Sequence, residues 1–168
     1  MIHSIDPVFD QHSRILILGS FPSVKSRVSG FYYGNPQNRF WAVLSSVLGC
    51  EIPHENESKK KILLDHRIAL WDVIKSCDLI GSNDASIENV IPNDIQSIIK
   101  ASLITTIYAN GNKAYEYYNK YIYPKTKIPI ILLPSTSPAN AQMTYEKLLK
   151  IWAPYLLQDI CQINQKIL

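Results

Sequence analysis

The chain has 168 residues, 46% hydrophobic and 10% aromatic, with ten tyrosines and a formal net charge of +3. That apolar content supports a folded core and argues against disorder, and the length suits one domain, residues 1–168. No apolar run reaches the roughly 18 residues of a membrane-spanning helix. Met1-Ile2-His3-Ser4-Ile5-Asp6 shows no basic stretch followed by an apolar one, so no secretory leader and no membrane association are expected. Cys50, Cys77 and Cys161 are dispersed, without C-x-x-C spacing, and fit reduced thiols in a cytoplasmic protein. With His3, His12, His54 and His66 they form no metal-ligand motif, so no metal is expected. The mild positive charge permits a local basic patch without demanding a nucleic-acid partner.

In chain order, Ile15-Leu16-Ile17-Leu18 reads as a buried strand. Phe40, Val43, Leu44, Val47 and Leu48 then recur with helical spacing, and Gly49 closes that helix. Lys59 to Asp65 reads as a short helix, and Ile68 to Val73 as a second strand. The polar stretch Cys77 to Asn89 is expected as a surface loop, and Pro92 is expected in the first turn of a helix. Ile104 to Ala109 is a third strand and Gly111 to Tyr118 begins a helix. Ile130 to Leu133 is a fourth strand. Thr144 to Gln158 is a helix capped by Thr144 and kinked or ended by Pro154. Continuous apolar strands alternating with helices predict an α/β fold whose parallel sheet is covered on both faces and joined by right-handed crossovers.

Two loops follow apolar strands and stand out. The first is Gly19-Ser20-Phe21-Pro22-Ser23, running on to Tyr32-Tyr33-Gly34-Asn35-Pro36-Gln37-Asn38-Arg39-Phe40-Trp41; the second is Pro134-Ser135-Thr136-Ser137-Pro138-Ala139-Asn140. If their strands are parallel neighbours, both loops open at the sheet edge where α/β proteins bind ligands. Gly19 permits a tight turn that turns the Ser20 and Phe21 backbone N–H groups toward a ligand, or is an ordinary strand end. Tyr33 is either packing or a flat face for a planar base. Asn38 is either a helix N-cap or a carboxamide that holds a water or a base edge. Arg39, in a first helical turn where the dipole disfavours it, suggests an anionic partner. Ser135, Thr136 and Ser137 are solvated turn residues or phosphate contacts. Asn110-Gly111-Asn112-Lys113 is a common turn or an anion site. No Walker motif and no G-x-G-x-x-G is present, which removes the usual nucleotide-cofactor readings, and no nucleophile elbow or triad context appears.

Together Gly19 to Ser23, Phe31 to Trp41, Ala69-Leu70-Trp71-Asp72-Val73-Ile74 and Ser135 to Asn140 resemble the uracil-DNA glycosylase superfamily, and within it the DNA-deoxyinosine (hypoxanthine-DNA) glycosylase branch. The resemblance implies a three-layer α/β fold, a four-stranded parallel sheet flanked by helices, with a DNA cleft at the strand C-terminal ends. It implies no metal, no cofactor and a monomer. The iron–sulfur cluster of some branches takes four cysteines, and this chain has three scattered ones. Ser20 and Phe21 stand where several branches place an Asp or Asn, and Ser135 where the uracil branch places a His.

The implied partner is damaged DNA carrying deoxyinosine or uracil, and the implied reaction is hydrolysis of the N-glycosidic bond of deoxyinosine. The nucleotide flips out of the duplex. Asn38 is the expected catalytic residue, Tyr33 stacks on the base, and Gly19, Ser20 and Phe21 hold its edge. Ser135, Thr136, Ser137 and Pro138 contact the phosphate backbone, Asn140 lies near the gap, and Lys113, Arg39 and Lys25 are further phosphate contacts. The competing readings are a uracil-specific enzyme on the same fold, a silent DNA-binding module, and an enzyme of free nucleosides.

Overall fold

A computed structural model describes residues 1–79 and 87–165. The elements in its first half are β1 (Ile15–Gly19), α1 (Val24–Ser29), α2 (Phe40–Leu48), α3 (Asn56–Asp65), β2 (Ile68–Asp72) and β3 (Ile74–Leu79). They are followed by β4 (Ile87–Pro92), α4 (Ile95–Lys100), β5 (Thr106–Asn110), α5 (Asn112–Tyr121), α6 (Tyr123–Thr126), β6 (Ile130–Leu133) and α7 (Tyr145–Gln165).

The main sheet has four parallel strands in the order β2-β1-β5-β6. Alternation along each strand divides the side chains between two helical layers. Ile15, Ile17, Ile68, Leu70 and Tyr108 pack against Phe40, Val43 and Leu44 of α2 and Leu148, Trp152 and Leu156 of α7. Leu16, Leu18, Ala69, Ile107 and Ala109 pack against Ile95 and Ile98 of α4 and Ala114 and Tyr118 of α5. Both faces are covered, which is why these strands read as unbroken apolar runs. The chain winds outward from β1 to β2 and then returns to β5 on the other side. The winding therefore reverses between β1 and β5, where a crevice opens beyond the strand C-termini.

The structure departs from the sequence expectations at several points. The strands that precede the two signature loops are not neighbours: β5 lies between β1 and β6. All three are parallel, so both loops still open at one edge. The expected loop Cys77–Asn89 belongs in part to an antiparallel hairpin of β3 and β4, with two register irregularities; residues 80–86 lie outside the described ones. Lys75, Ser76, Asp78, Glu88 and Asn89 give this exposed ribbon a loop-like composition. Pro92 ends β4 and does not open a helix. Asp94 caps α4, its side chain accepting from Ser97 N–H at 3.2 Å. α7 runs through Pro154 to Gln165. Pro154 is exposed, and Leu148, Trp152 and Leu156 are fully buried at four-residue spacing, so packing outweighs the roughly 3 kcal/mol a helical proline costs.

Candidate active site

A cavity of about 650 Å³ occupies the crevice, within the roughly 300–1,000 Å³ of small-molecule sites. Its wall is built from separate segments: Gly19–Ser23 after β1, Lys25 and its neighbours on α1, Tyr32, Tyr33, Asn35 and Asn38 ahead of α2, Asp72 ending β2, Asn110 ending β5, Lys113 on α5, and Ser135–Ser137 after β6. The fold thus brings Asn38, Ser20, Phe21, Tyr33, Ser135, Thr136, Ser137, Lys113 and Lys25 to one place. Pro138 and Asn140 lie outside that wall.

Asn38 is held by its carbonyl oxygen. Oδ1 accepts from Phe40 N–H at 3.0 Å, a capping-type bond to the start of α2, and from the Thr136 hydroxyl at 2.8 Å. Both partners are donors, so the amide's orientation is settled. Nδ2 is left at the cavity with no acceptor among the described residues. The N-cap of α2 is Arg39, so Asn38 stands one residue before the position expected of it, and from there it both ties down the first turn and lines the site. Thr136 is itself locked: Asn110 Nδ2 donates to its Oγ1 and Thr136 N–H donates to Asn110 Oδ1, both at 2.9 Å. Strand β5 is thereby linked through the second loop to Asn38.

This network corrects two expectations. Thr136 is completely buried and its hydroxyl is used on both sides, so it orients Asn38 and does not reach a phosphate. Arg39 has carbonyl partners, not an anion. Its guanidinium donates to the backbone oxygens of Thr136 (3.1 Å), Ser137, Asn140 (3.3 Å) and Met143. It clamps the second loop onto the start of α2, and the loop carbonyls supply the negative pole that its place by a helix N-terminus suggested. Asn140 is likewise turned inward, Nδ2 donating to Ser135 O at 3.0 Å. Ser135 and Ser137 accept within the loop from Ser137 N–H and Ala139 N–H, and their hydroxyl protons remain available at the rim.

On the opposite wall, the Ser20 and Phe21 N–H groups meet no acceptor among the described residues. Lys25 is exposed at the rim, where Nζ donates to Asn35 Oδ1 at 3.3 Å. Tyr33 lies on Phe40 with ring centroids 4.0 Å apart and 23° between planes. Its φ of 55° is left-handed, a conformation costing a bulky residue of order 1 kcal/mol or more that tends to occur at functional sites. Burial, with the Asp72 carboxylate nearby, raises its hydroxyl well above the ordinary tyrosine range, and the neighbouring Asn110 side chain draws it partly back; Oη makes no hydrogen bond of full geometry among the described residues.

Sequence reasoning assigned no role to Asp72, the most heavily buried carboxylate in this wall at 3% exposure. Parallel pairing sets it opposite Gly19, and its Oδ1 lies where a Cβ on Gly19 would come within 2.2 Å. Gly19 is thus needed for a close approach. His3 Nε2 lies 2.8 Å from Asp72 Oδ2, while His3 Nδ1 accepts from Ile5 N–H at 3.2 Å. A nitrogen that accepts carries no proton, so His3 is the neutral Nε2–H tautomer and donates to Asp72. Burial pushes the Asp72 carboxyl up from the usual carboxylate range, and the His3 bond draws it partly back. The signal in the sequence was an acidic residue closing an otherwise apolar strand.

No group of three or more metal-ligating side chains suited to an ion occurs among the described residues, and no helix among them is long and apolar enough to cross a membrane. Residues 7–156 match the family described as "Uracil DNA glycosylase superfamily". A protein of Methanosarcina acetivorans named hypoxanthine DNA glycosylase is 37% identical over 141 residues, 82% of this chain and 87% of the relative. A protein of the same name from Methanosarcina barkeri is 37% identical over 114 residues, 66% of this chain and 72% of the relative. The solution NMR structure of a proposed uracil DNA glycosylase from Methanosarcina acetivorans superposes with a TM-score of 0.77 at 33% identity, covering 93% of this chain and 99% of that one. With the family matched across residues 7–156 and a relative 37% identical over most of both chains, the chain belongs to the uracil DNA glycosylase superfamily.

Proposed function

We propose that this protein is a monofunctional DNA glycosylase that hydrolyses the N-glycosidic bond of deoxyinosine in DNA, releasing hypoxanthine and leaving an abasic site. The observation that carries the reading is the fixed Asn38, presented to the cavity as a donor. The names of the two Methanosarcina relatives support the choice of base.

The target bond is hidden in a stacked duplex, so the nucleotide must rotate into the cavity. A base that leaves with the bonding electrons carries negative charge. Ser20 N–H, Phe21 N–H and Asn38 Nδ2 are preorganised donors around the space it would occupy, an arrangement that stabilises developing charge without reorganisation. The Asn38 carbonyl is already engaged by two donors, so it is not available to take a proton from water. Bond breaking therefore runs ahead of water attack, through an oxocarbenium-like state. Tyr33, backed by Phe40, supplies the stacking surface. The hydroxyls of Ser135 and Ser137, with Lys113 and Lys25, face the phosphate backbone.

Uracil is the second reading, favoured by the name of the structural neighbour. Single-turnover excision from duplexes bearing hypoxanthine, uracil, xanthine or mismatched thymine, followed by alkaline cleavage, separates the two. Hypoxanthine should be released fastest, and Asn38→Ala should remain folded and lose excision. Faster uracil release would reassign the specificity, and an active Asn38→Ala would remove Asn38 from the mechanism.

A further inference from the structure

Turning a nucleotide out of the duplex costs stacking energy, and an apolar side chain seated in the vacated space offsets that cost. Asn140, expected near the gap, is tied inward to Ser135 O. Helix α1, at the cavity mouth beside the first loop, presents side chains that the fold itself does not use. Val24 is 66% and Val28 84% exposed, and neither packs into the core on either side of the sheet. Single exposed valines are ordinary, but these stand four residues apart and share one helix face. Val24 lines the cavity, and the same helix carries Lys25 and Arg27 and no carboxylate. The ridge is also braced. Ser23 Oγ accepts from Ser26 N–H at 3.2 Å at one end of α1, and Gly30, with φ of 69°, closes the other. Ser26 Oγ accepts from Gly34 N–H at 3.1 Å, and Asn56 Nδ2 donates to Ser29 O at 3.0 Å. These bonds tie α1 to the turn that carries Tyr33 and to the start of α3.

We propose that Val24 and Val28 form the wedge of this protein: on binding, the ridge enters the DNA stack beside the flipped nucleotide and holds its neighbours apart, while Lys25 lies along the adjoining phosphates. The inference rests on the glycosylase reading above and adds the element that opens the duplex. Valine suits the task. Branched at Cβ, it has little rotational freedom to lose when seated, and it has no hydrogen-bonding group that would favour one neighbouring base over another. The faces of the bases are the apolar part of DNA, so the ridge leaves water for an apolar surface. The basic flanks attract the phosphates on either side of the gap, and no carboxylate on the helix opposes them. Because α1 is bonded to the Tyr33 turn, the ridge that props the stack and the ring that receives the base belong to one rigid unit.

The test is the full chain carrying Val24→Ser and Val28→Ser together. Both sites are exposed and the helix caps are kept, so the variant should fold normally. Single-turnover rates are measured on deoxyinosine in a fully paired duplex and in a duplex whose pairs on either side of the lesion are mismatched, where the stack is already open. The ratio of the paired to the open rate should fall roughly 10-fold in the serine variant, the effect of losing about one buried valine side chain. Val24→Leu with Val28→Leu keeps the apolar ridge and should keep the wild-type ratio. Each ratio is taken within one protein, so a partial loss of folding cancels. With 2-aminopurine placed next to the lesion in the paired duplex, the wild type should raise its emission on mixing, ahead of base release, and the serine variant should not. An unchanged ratio overturns the proposal, whether both rates fall together, which would make α1 a brace for the cavity wall, or neither changes. An emission rise that survives the serines also overturns it and leaves the gap to the second loop. A wild type inactive on all four lesions of the panel above would defeat the glycosylase reading. An emission rise abolished by the serines would even then assign the opening of DNA to α1, and no rise in the wild type would defeat this inference as well.

Discussion

Thr136→Val isolates the link between β5 and Asn38. Valine matches threonine in shape, and the site is completely buried, so packing changes little. Two hydrogen bonds disappear, from Asn110 Nδ2 at 2.9 Å and to Asn38 Oδ1 at 2.8 Å, while the bond from Thr136 N–H to Asn110 Oδ1 survives. Leaving the Asn110 donor unpaired costs about 1–3 kcal/mol. In a domain of this size each kcal/mol lowers the melting temperature by about 2–4 °C. The effect on rate is separate. Asn38 Oδ1 keeps only Phe40 N–H, its amide is free to tilt, and a misplacement of about 1 Å is worth on the order of 100-fold in rate. With enzyme saturating over a deoxyinosine duplex, the observed single-turnover constant should fall roughly 10- to 100-fold with DNA affinity nearly unchanged. Thr136→Ser keeps the hydroxyl and loses a methyl, so it should be less stable by about 1 kcal/mol and retain most of the rate. Stability and rate then move independently across the pair. A valine variant with the wild-type constant, or a serine variant as slow as the valine one, would refute the positioning role.

Four further outcomes follow from the same geometry. Gly19→Ala places a methyl 2.2 Å from Asp72 Oδ1 and should cost about 1–3 kcal/mol by overpacking, visible as a lower melting temperature together with slower hypoxanthine release. Tyr33→Phe removes a buried hydroxyl that makes no hydrogen bond of full geometry and only a weak contact to Asn110, and should be near neutral, within about 1 kcal/mol, with activity kept, whereas Tyr33→Ala should weaken binding of the flipped base; equal losses would argue against stacking. Arg39→Lys cannot fork across the second-loop carbonyls, so amide exchange in residues 135–143 should rise while the salt dependence of DNA affinity stays the same, in contrast to Lys25→Ala, which should lower that slope by about one. Asp72→Asn gives a pH test of stability. Burial raises the Asp72 carboxyl, so the wild type carries a cost wherever that group is ionised, and the cost fades as pH falls through its folded-state pKa. The variant should therefore melt higher near neutral pH and lose that advantage toward about pH 4. Tyr32 and Tyr33, raised by burial, stay neutral across this window, and His3 is common to both proteins. A difference constant with pH would show that another group titrates.

How far the fold is legible in the chain depends on where its determinants lie. Ile130–Leu133 reads correctly as a strand because both sheet faces are covered and the apolar run ends where the strand does. The β3–β4 hairpin does not, because a two-stranded ribbon exposed to water gives little apolar alternation to read. Pro154 misleads because propensity is local, whereas Leu148, Trp152 and Leu156 secure α7 from the sheet side. The site divides in the same way. Asn38 and the first loop are carried by contiguous motifs. Ser135, Thr136 and Ser137 are alike in sequence, and burial alone separates the positioning hydroxyl from its neighbours. Arg39 near a helix N-terminus calls for a negative partner, but that the partner is a set of carbonyls about a hundred residues away is a tertiary fact.

The hydrogen-bonding polarity of the cavity explains why these residues belong together. Asn38 offers its surroundings one acceptor and one donor group, and the protein consumes the acceptor through Phe40 and Thr136. Ser20 and Phe21 add donors from a loop that does not pair them internally. A wall so arranged is selective for charge that appears on the base as the bond breaks, since donors gain most from an anion and least from a neutral ground state. Asn38 variants should therefore lower the excision rate on every base while leaving the fold intact.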